Sequence, residues 1–67
     1  MLIGLFKEYK GYVGSIEIDI ENAIHCGRLL KIDDFVNYEA ENIIDLEKQF
    51  HKAVDDYIEF KKEVGKE

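Results

Sequence analysis

Four acidic residues in two close pairs are the strongest sign of chemistry in this chain. Glu17 and Asp19 are two residues apart, and Asp55 and Asp56 are adjacent. Carboxylates in such pairs could hold two Mg²⁺ ions for phosphodiester cleavage, so a small metal-dependent nuclease is the leading enzymatic alternative. Acids at these positions are also typical of exposed strands and helices, and a chain of 67 residues has little room for a sheltered pocket. We therefore predict that the protein is not an enzyme and has no catalytic residues.

The two histidines and the single cysteine are the other candidate ligands and catalysts. His25 and Cys26 are adjacent, and consecutive strand residues point to opposite faces, so the pair is poorly placed to bind one metal ion. His51 and Asp55 are four residues apart on a predicted helix, which favours a local hydrogen bond near the surface. Ser15 with His51 and an acid lacks the glycine-rich turn and the spacing of a catalytic triad. We predict neither a metal nor a cofactor.

Alternating hydrophobicity predicts three strands to position these side chains. In residues 12–20 one face is apolar, with Tyr12, Ile16, Ile18 and Ile20. The opposite face, which we expect mostly to contact water, carries Val13, Ser15, Glu17 and Asp19. Asn22 predicts a tight turn, since asparagine can adopt the positive φ that such turns need. A second strand follows at 23–30, and a third at 35–40 has Val36, Tyr38 and Ala40 on one side.

The remainder of the chain predicts one amphipathic helix. Asn42 is a candidate N-cap, with Asp45 three residues later to complete a capping box, so the helix should begin near Ile43. Apolar residues then recur at spacings of three and four, at Leu46, Phe50, Ala53, Tyr57, Phe60 and Val64. Gly65 is a fitting C-terminal cap. Ile44 and Ile58 lie beside this stripe, where either the first segment of the chain or a partner could cover them.

These elements predict an α+β fold in which a three-stranded antiparallel sheet packs on one C-terminal helix. Nothing in residues 1–67 marks a linker or a repeat, so we expect a single domain. A core this small rarely supplies more than roughly 3–5 kcal/mol of net stability, which makes a homodimer plausible.

The composition favours a basic protein as the partner. Fifteen acids and nine bases give a net charge of -6, which repels phosphate. RNA binding through Tyr12 and Tyr38 as stacking surfaces is the alternative, but the bases outside the helix are few: Lys7, Lys10, Arg28 and Lys31. One cysteine excludes an internal disulfide and fits the reducing cytoplasm, and no apolar stretch is long enough to span a membrane.

Three stretches of the chain resemble the HicB antitoxin family. They are Tyr9-Lys10-Gly11-Tyr12-Val13-Gly14-Ser15-Ile16-Glu17, the segment Gly27-Arg28-Leu29, and the helix from Leu46 to Phe60. The most specific parts are the Lys-Gly-Tyr motif with Gly-Ser after it and the run Ala53-Val54-Asp55-Asp56-Tyr57. The family pattern normally starts close to Lys10, so residues 1–8 are a departure from it.

The resemblance implies a βββα lobe, with a partial RNase H-like fold, that binds and neutralises a small basic HicA-type toxin, an mRNA-cleaving protein. Family members usually continue past Gly65 into a segment that dimerises and binds operator DNA, so we expect no DNA binding from this chain alone. A truncated or orphan HicB-like module that binds another protein is the alternative. The residues predicted to contact the toxin are Tyr12 and Tyr38 as anchors, with the acids Glu17, Asp19, Glu39 and Glu41.

Overall fold

The computed structural model describes residues 1–64 as one antiparallel sheet and one long helix. The strands are β1 (Leu2–Leu5), β2 (Ser15–Asp19), β3 (Ile24–Arg28) and β4 (Asn37–Ala40), and the helix is α1 (Ile43–Val64). The strands lie side by side in chain order. The α+β class and the C-terminal helix are confirmed, but the sheet has four strands and the prediction of three is wrong. The predicted cap Gly65 and the side chain of Val64 lie outside the described residues.

The strand that the sequence analysis missed is β1. It pairs with β2 through Gly4↔Ile16 and Leu5↔Ser15, and its register shifts between Leu2 and Gly4. Its side chains are mostly exposed, because α1 packs against β3 and β4 and does not reach β1. A strand without a buried face needs no alternation of apolar and polar residues, so periodicity did not reveal it.

A tight turn at residues 9–12 returns the chain from β1 towards β2. Tyr9 and Tyr12 exchange two backbone hydrogen bonds, of 2.8 and 2.9 Å. Lys10 and Gly11 between them have positive φ angles of 53° and 86°, the geometry of a two-residue type I′ hairpin turn. Glycine adopts such angles without strain, so the Lys-Gly pair is the local cause of this turn.

The turn between β2 and β3 forms where polar residues predict it, but its residues have different roles. The Asp19 carboxylate accepts hydrogen bonds from the Asn22 side-chain amide at 2.9 Å and from its backbone N–H at 3.3 Å. The positive φ, 56°, is at Ala23 and not at Asn22. Ile20 begins this turn and is 71% exposed, so its predicted place in the core is wrong.

The helix and the sheet enclose a small, largely aromatic core. Its buried apolar residues are Leu29, Tyr38, Leu46, Phe50, Val54 and Tyr57. Phe6, from the segment after β1, stacks on Phe50 with ring centroids 5.1 Å apart. The predicted helical stripe is confirmed at Leu46, Phe50 and Tyr57, whereas Phe60 is half exposed.

The buried side of the helix is wider than the predicted stripe. Val54 is fully buried, although the spacing of three and four did not select it. Ile58 packs against the core, whereas Ile44 is 68% exposed. The two isoleucines beside the stripe therefore have different environments, and only Ile44 remains open to a partner.

The beginning of α1 is capped as the sequence predicts. The Asn42 side-chain oxygen accepts a 2.8 Å hydrogen bond from the Asp45 backbone N–H, and the Asn42 amide donates to the Asp45 carboxylate at 3.1 Å. An N-cap of this kind typically contributes about 1 kcal/mol to helix stability. No helix within residues 1–64 combines the length and apolar character needed to cross a membrane.

Ser15 is buried, contrary to its predicted exposure, because its polar atoms have partners inside the sheet. Its hydroxyl accepts a 3.0 Å bond from the Arg28 backbone N–H and donates a 2.8 Å bond to Glu17 Oε2. The Ser15 carbonyl accepts a 2.9 Å bond from the Tyr38 hydroxyl. The Tyr38 ring crosses β3 to reach it, and this requires Gly27, where a Cβ atom would lie 2.7 Å from the ring.

Candidate functional site

The helix packs on one face of the sheet, against β3 and β4, and leaves the other face open. Tyr38 and Gly27 pair on the covered face, where the Tyr38 ring is buried. Neighbouring strand residues point the opposite way, so the paired residues Cys26 and Glu39 lie on the open face. Glu17 pairs with Cys26 from β2 and completes a row across three strands. We call Glu17, Cys26 and Glu39 the acidic row.

The acidic row brings two carboxylates to the open face, which also carries Arg28. Adjacent strands are about 4.8 Å apart, so Glu17 and Glu39 start from backbone positions roughly 10 Å from each other. Burial raises the pKa of the Cys26 thiol, and the negative charges of Glu17, Asp19 and Glu39 raise it further. Because a raised pKa keeps the thiol neutral, the charge of the row comes from its two carboxylates.

A concavity of about 380 Å³ lies beside the acidic row. Its lining includes Arg28, Phe35 and Asn37 together with the row itself. Phe35 is 75% exposed, which is far from the usual burial of phenylalanine. An aromatic ring next to carboxylates suits a long cationic side chain, whose stem can pack on the ring while its charge faces the acids.

The β1 side of the open face is apolar. Leu2 pairs with Glu17 and Leu5 pairs with Ser15, so both leucines share a face with the acidic row. They are 62% and 56% exposed. The open face thus joins an exposed apolar strand to a charged row, and protein interfaces combine surfaces of these two kinds.

The four acids predicted to contact a partner have different settings. Glu17 and Glu39 lie in the acidic row. Asp19 lies at the end of β2 and binds Asn22, which lowers the pKa of the Asp19 carboxyl. Glu41 is exposed just after β4. Glu17 and Glu39 therefore lie in the same row, whereas Asp19 is hydrogen-bonded within a turn.

The two tyrosines predicted as anchors lie on the helix side of the sheet. Tyr38 is buried, and this burial raises the pKa of its hydroxyl. Tyr12 is half-buried and meets the Tyr57 ring edge-on, with centroids 5.7 Å apart. Both rings therefore stabilise the core. The exposed apolar side chains of the open face are instead Leu2 and Leu5, together with Phe35 at its margin, where Phe35 also lines a second concavity with Tyr57 and Phe60. The sequence signal for these residues was an apolar residue outside any buried pattern.

The candidate catalytic and metal-binding residues are dispersed. Asp55, on the helix, accepts hydrogen bonds from Lys10 at 2.9 Å and from the Tyr9 hydroxyl at 3.2 Å, so it does not pair with His51 as predicted. His51 instead stacks on the Tyr9 ring, with centroids 4.0 Å apart. Glu17 lies on the far face of the sheet from these groups. Within residues 1–64, no three His, Cys, Asp or Glu side chains gather closely enough to hold a metal ion.

The Tyr9–Lys10 contact with Asp55 ties the turn before β2 to the helix. Hydrogen bonding to Lys10, together with its positive charge, lowers the pKa of the Asp55 carboxyl, and the same contact raises the pKa of Lys10. Both side chains are about half exposed, so this ion pair positions the turn and adds little stability. Lys10 and Asp55, which form this contact, both lie in segments that resemble the HicB family.

A comparison of the chain with protein-family models, curated proteins and solved structures gives no match.

Proposed function

We propose that this protein is an antitoxin that binds a small basic toxin of the HicA type through the open face of its sheet and thereby neutralises it. The observation that carries the proposal is the acidic row of Glu17, Cys26 and Glu39, which the helix does not cover and which lies beside an exposed apolar strand. In this proposal the protein neutralises the toxin by binding to it and not by catalysing a reaction.

Charge supports a basic partner. The chain has a net charge of -6, and complementary potentials accelerate the encounter of two proteins and disfavour wrong partners. In this proposal the carboxylates of the acidic row steer the toxin. Phe35 then supplies an apolar contact that slows dissociation, because buried apolar and aromatic side chains contribute most of the energy of an interface.

The family resemblance supports the same proposal through residues that build the frame of the open face. The Lys10-Gly11 turn directs the chain into β2, which carries Glu17. Gly27 allows Tyr38 to cross β3 and hold the Ser15 carbonyl. These residues fix the strands that carry the acidic row.

The first test is co-expression with a small basic protein, if one is encoded beside this chain. If the proposal is correct, the pair co-purifies and growth is rescued. Continued growth arrest without a complex would contradict it and would favour a HicB-like module with a different protein partner.

The second test separates the open face from net charge by comparing Glu39→Lys with Glu47→Lys. Both glutamates are exposed, but Glu39 lies in the acidic row and Glu47 lies on the helix. We expect Glu39→Lys to slow association with the toxin at least tenfold at low salt, and Glu47→Lys to change it much less. The difference should shrink towards 1 M salt, where the screening length is about 3 Å. Equal association rates for the two variants would remove the acidic row from the interface.

A further inference from the structure

The two edge strands of the sheet, β1 and β4, differ in their protection against pairing with another strand. β4 contains Glu39 and follows two acids, Asp33 and Asp34. The segment 1–6 has no acidic or basic side chain and no proline, and four of its apolar side chains are between 50% and 67% exposed: Met1, Leu2, Ile3 and Leu5. Charged residues and proline are the usual means of blocking an edge, so β1 is open to strand addition.

We infer that β1 pairs antiparallel with β1 of a second copy of this chain, which joins the two sheets into one. A two-fold axis makes an antiparallel strand pair self-complementary, since each backbone N–H then meets the equivalent carbonyl of the copy. The register of β1 on β2 is regular from Gly4, through Leu5, to the bond between Phe6 N–H and the Gly14 carbonyl. The contact is therefore centred near Leu5.

Electrostatics selects β1 and not β4 for this contact. Pairing through β1 places the two β2 strands three strand spacings apart, roughly 14 Å, which exceeds the screening length of about 8 Å at physiological salt. The Glu17 carboxylates of the two copies therefore repel each other only weakly. Pairing through β4 would place the Glu39 residues on adjacent strands, within about 5–8 Å, where like charges destabilise a sheet.

The distribution of charge also favours a second copy of this chain, and not the basic partner, as the molecule that pairs with β1. A basic partner is attracted by the acidic row, but the segment 1–6 has no acidic side chain to offer it. A second copy presents an equally apolar strand, and the pairing brings the exposed Leu5 side chains of the two copies into cross-strand contact. The contact leaves Glu39 three strands away, so dimer formation and toxin binding can be tested separately.

The dimer is expected to be weak. β1 has four residues, and the shift in register at Leu2 shortens its regular part. Interfaces below about 1,000 Å² of buried area are generally transient, so the dimer should form at high protein concentration and dissociate on dilution.

The test compares Leu5→Lys with Phe35→Lys by sedimentation equilibrium over a wide range of protein concentrations. Both substitutions replace an exposed apolar side chain by lysine, one on β1 and the other near β4. The wild type and Phe35→Lys should approach twice the monomer mass at high concentration. Leu5→Lys should self-associate at least tenfold more weakly, with an unchanged circular dichroism spectrum.

Hydrogen exchange of the wild type tests the same contact without a substitution. The β1 amides should become more protected as the protein concentration rises, while those of β4 should not. A monomeric wild type at all concentrations would overturn the inference, as would protection of β1 only after the basic toxin is added. Loss of the dimer in Phe35→Lys but not in Leu5→Lys would also overturn it.

Discussion

The two faces of the sheet differ in what holds their side chains in place. On the covered face, the rings of Phe6, Tyr38 and Phe50 pack together, and the Tyr38 hydroxyl is bonded to a buried carbonyl. On the open face, Phe35 and Glu39 are exposed to water. The contrast teaches that stability is concentrated on one side of this thin domain, which leaves the other side free to bind.

The largest effect is expected when Phe50 is replaced by alanine. Removal of a fully buried phenylalanine typically costs about 3–5 kcal/mol, which is comparable to the entire net stability of a domain of this size. We therefore expect Phe50→Ala to be largely unfolded, as measured by urea denaturation followed by circular dichroism.

Phe35→Ala is the matched control, because it removes the same ring from the open face. Phe35 is 75% exposed, so the free energy of unfolding should change by less than about 0.5 kcal/mol. Similar losses of stability for the two variants would break the comparison between the faces.

A smaller effect is expected for Tyr38→Phe. This substitution keeps the ring on the covered face but leaves the Ser15 carbonyl without the 2.9 Å hydrogen bond from Tyr38. An unsatisfied buried polar group costs about 1–3 kcal/mol, so the midpoint of urea unfolding should fall by a corresponding amount. Tyr12→Phe is the control, since no hydrogen bond of the Tyr12 hydroxyl occurs within the described part of the chain. An equal loss in both variants would show that the Ser15 bond is not the cause.

The smallest expected effect is a pH-dependent change in stability that comes from the Tyr57 hydroxyl, at the margin of the covered face. The Tyr57 hydroxyl donates a 2.8 Å hydrogen bond to Asp34, and this bond, aided by burial, raises the pKa of Tyr57 to about 12. A raised pKa in the folded state means that folding favours the protonated hydroxyl. The contribution is therefore complete below the unfolded pKa, near 10, and is lost as the pH rises through 12.

The measurement is the free energy of unfolding of the wild type and of Tyr57→Phe between pH 8 and pH 12. The wild type should be the more stable protein up to about pH 10, and the difference should narrow above that value. A difference that is constant across this range would mean that the hydroxyl proton does not contribute.

Local patterns predicted those parts of the fold whose cause lies within a few residues. Asn42 and Asp45 form the cap that their spacing indicates, and α1 begins at Ile43 as predicted. Val36, Tyr38 and Ala40 lie on the side that packs against the core because the alternation of a strand is a local property. The acidic composition, likewise, required no structure.

The sequence by itself thus determined the α+β class, the helix and its main apolar stripe, and the excess of acidic over basic residues. Only the tertiary structure decided that residues 2–5 form a fourth strand, because an edge strand is defined by its neighbour and not by its own periodicity. It also decided that Ser15 is buried, since the bonds from Arg28 and Tyr38 come from other strands. The acidic row depends on strand register, a long-range property, and for that reason Glu17 and Glu39 lie on one face although they are 22 positions apart in the chain.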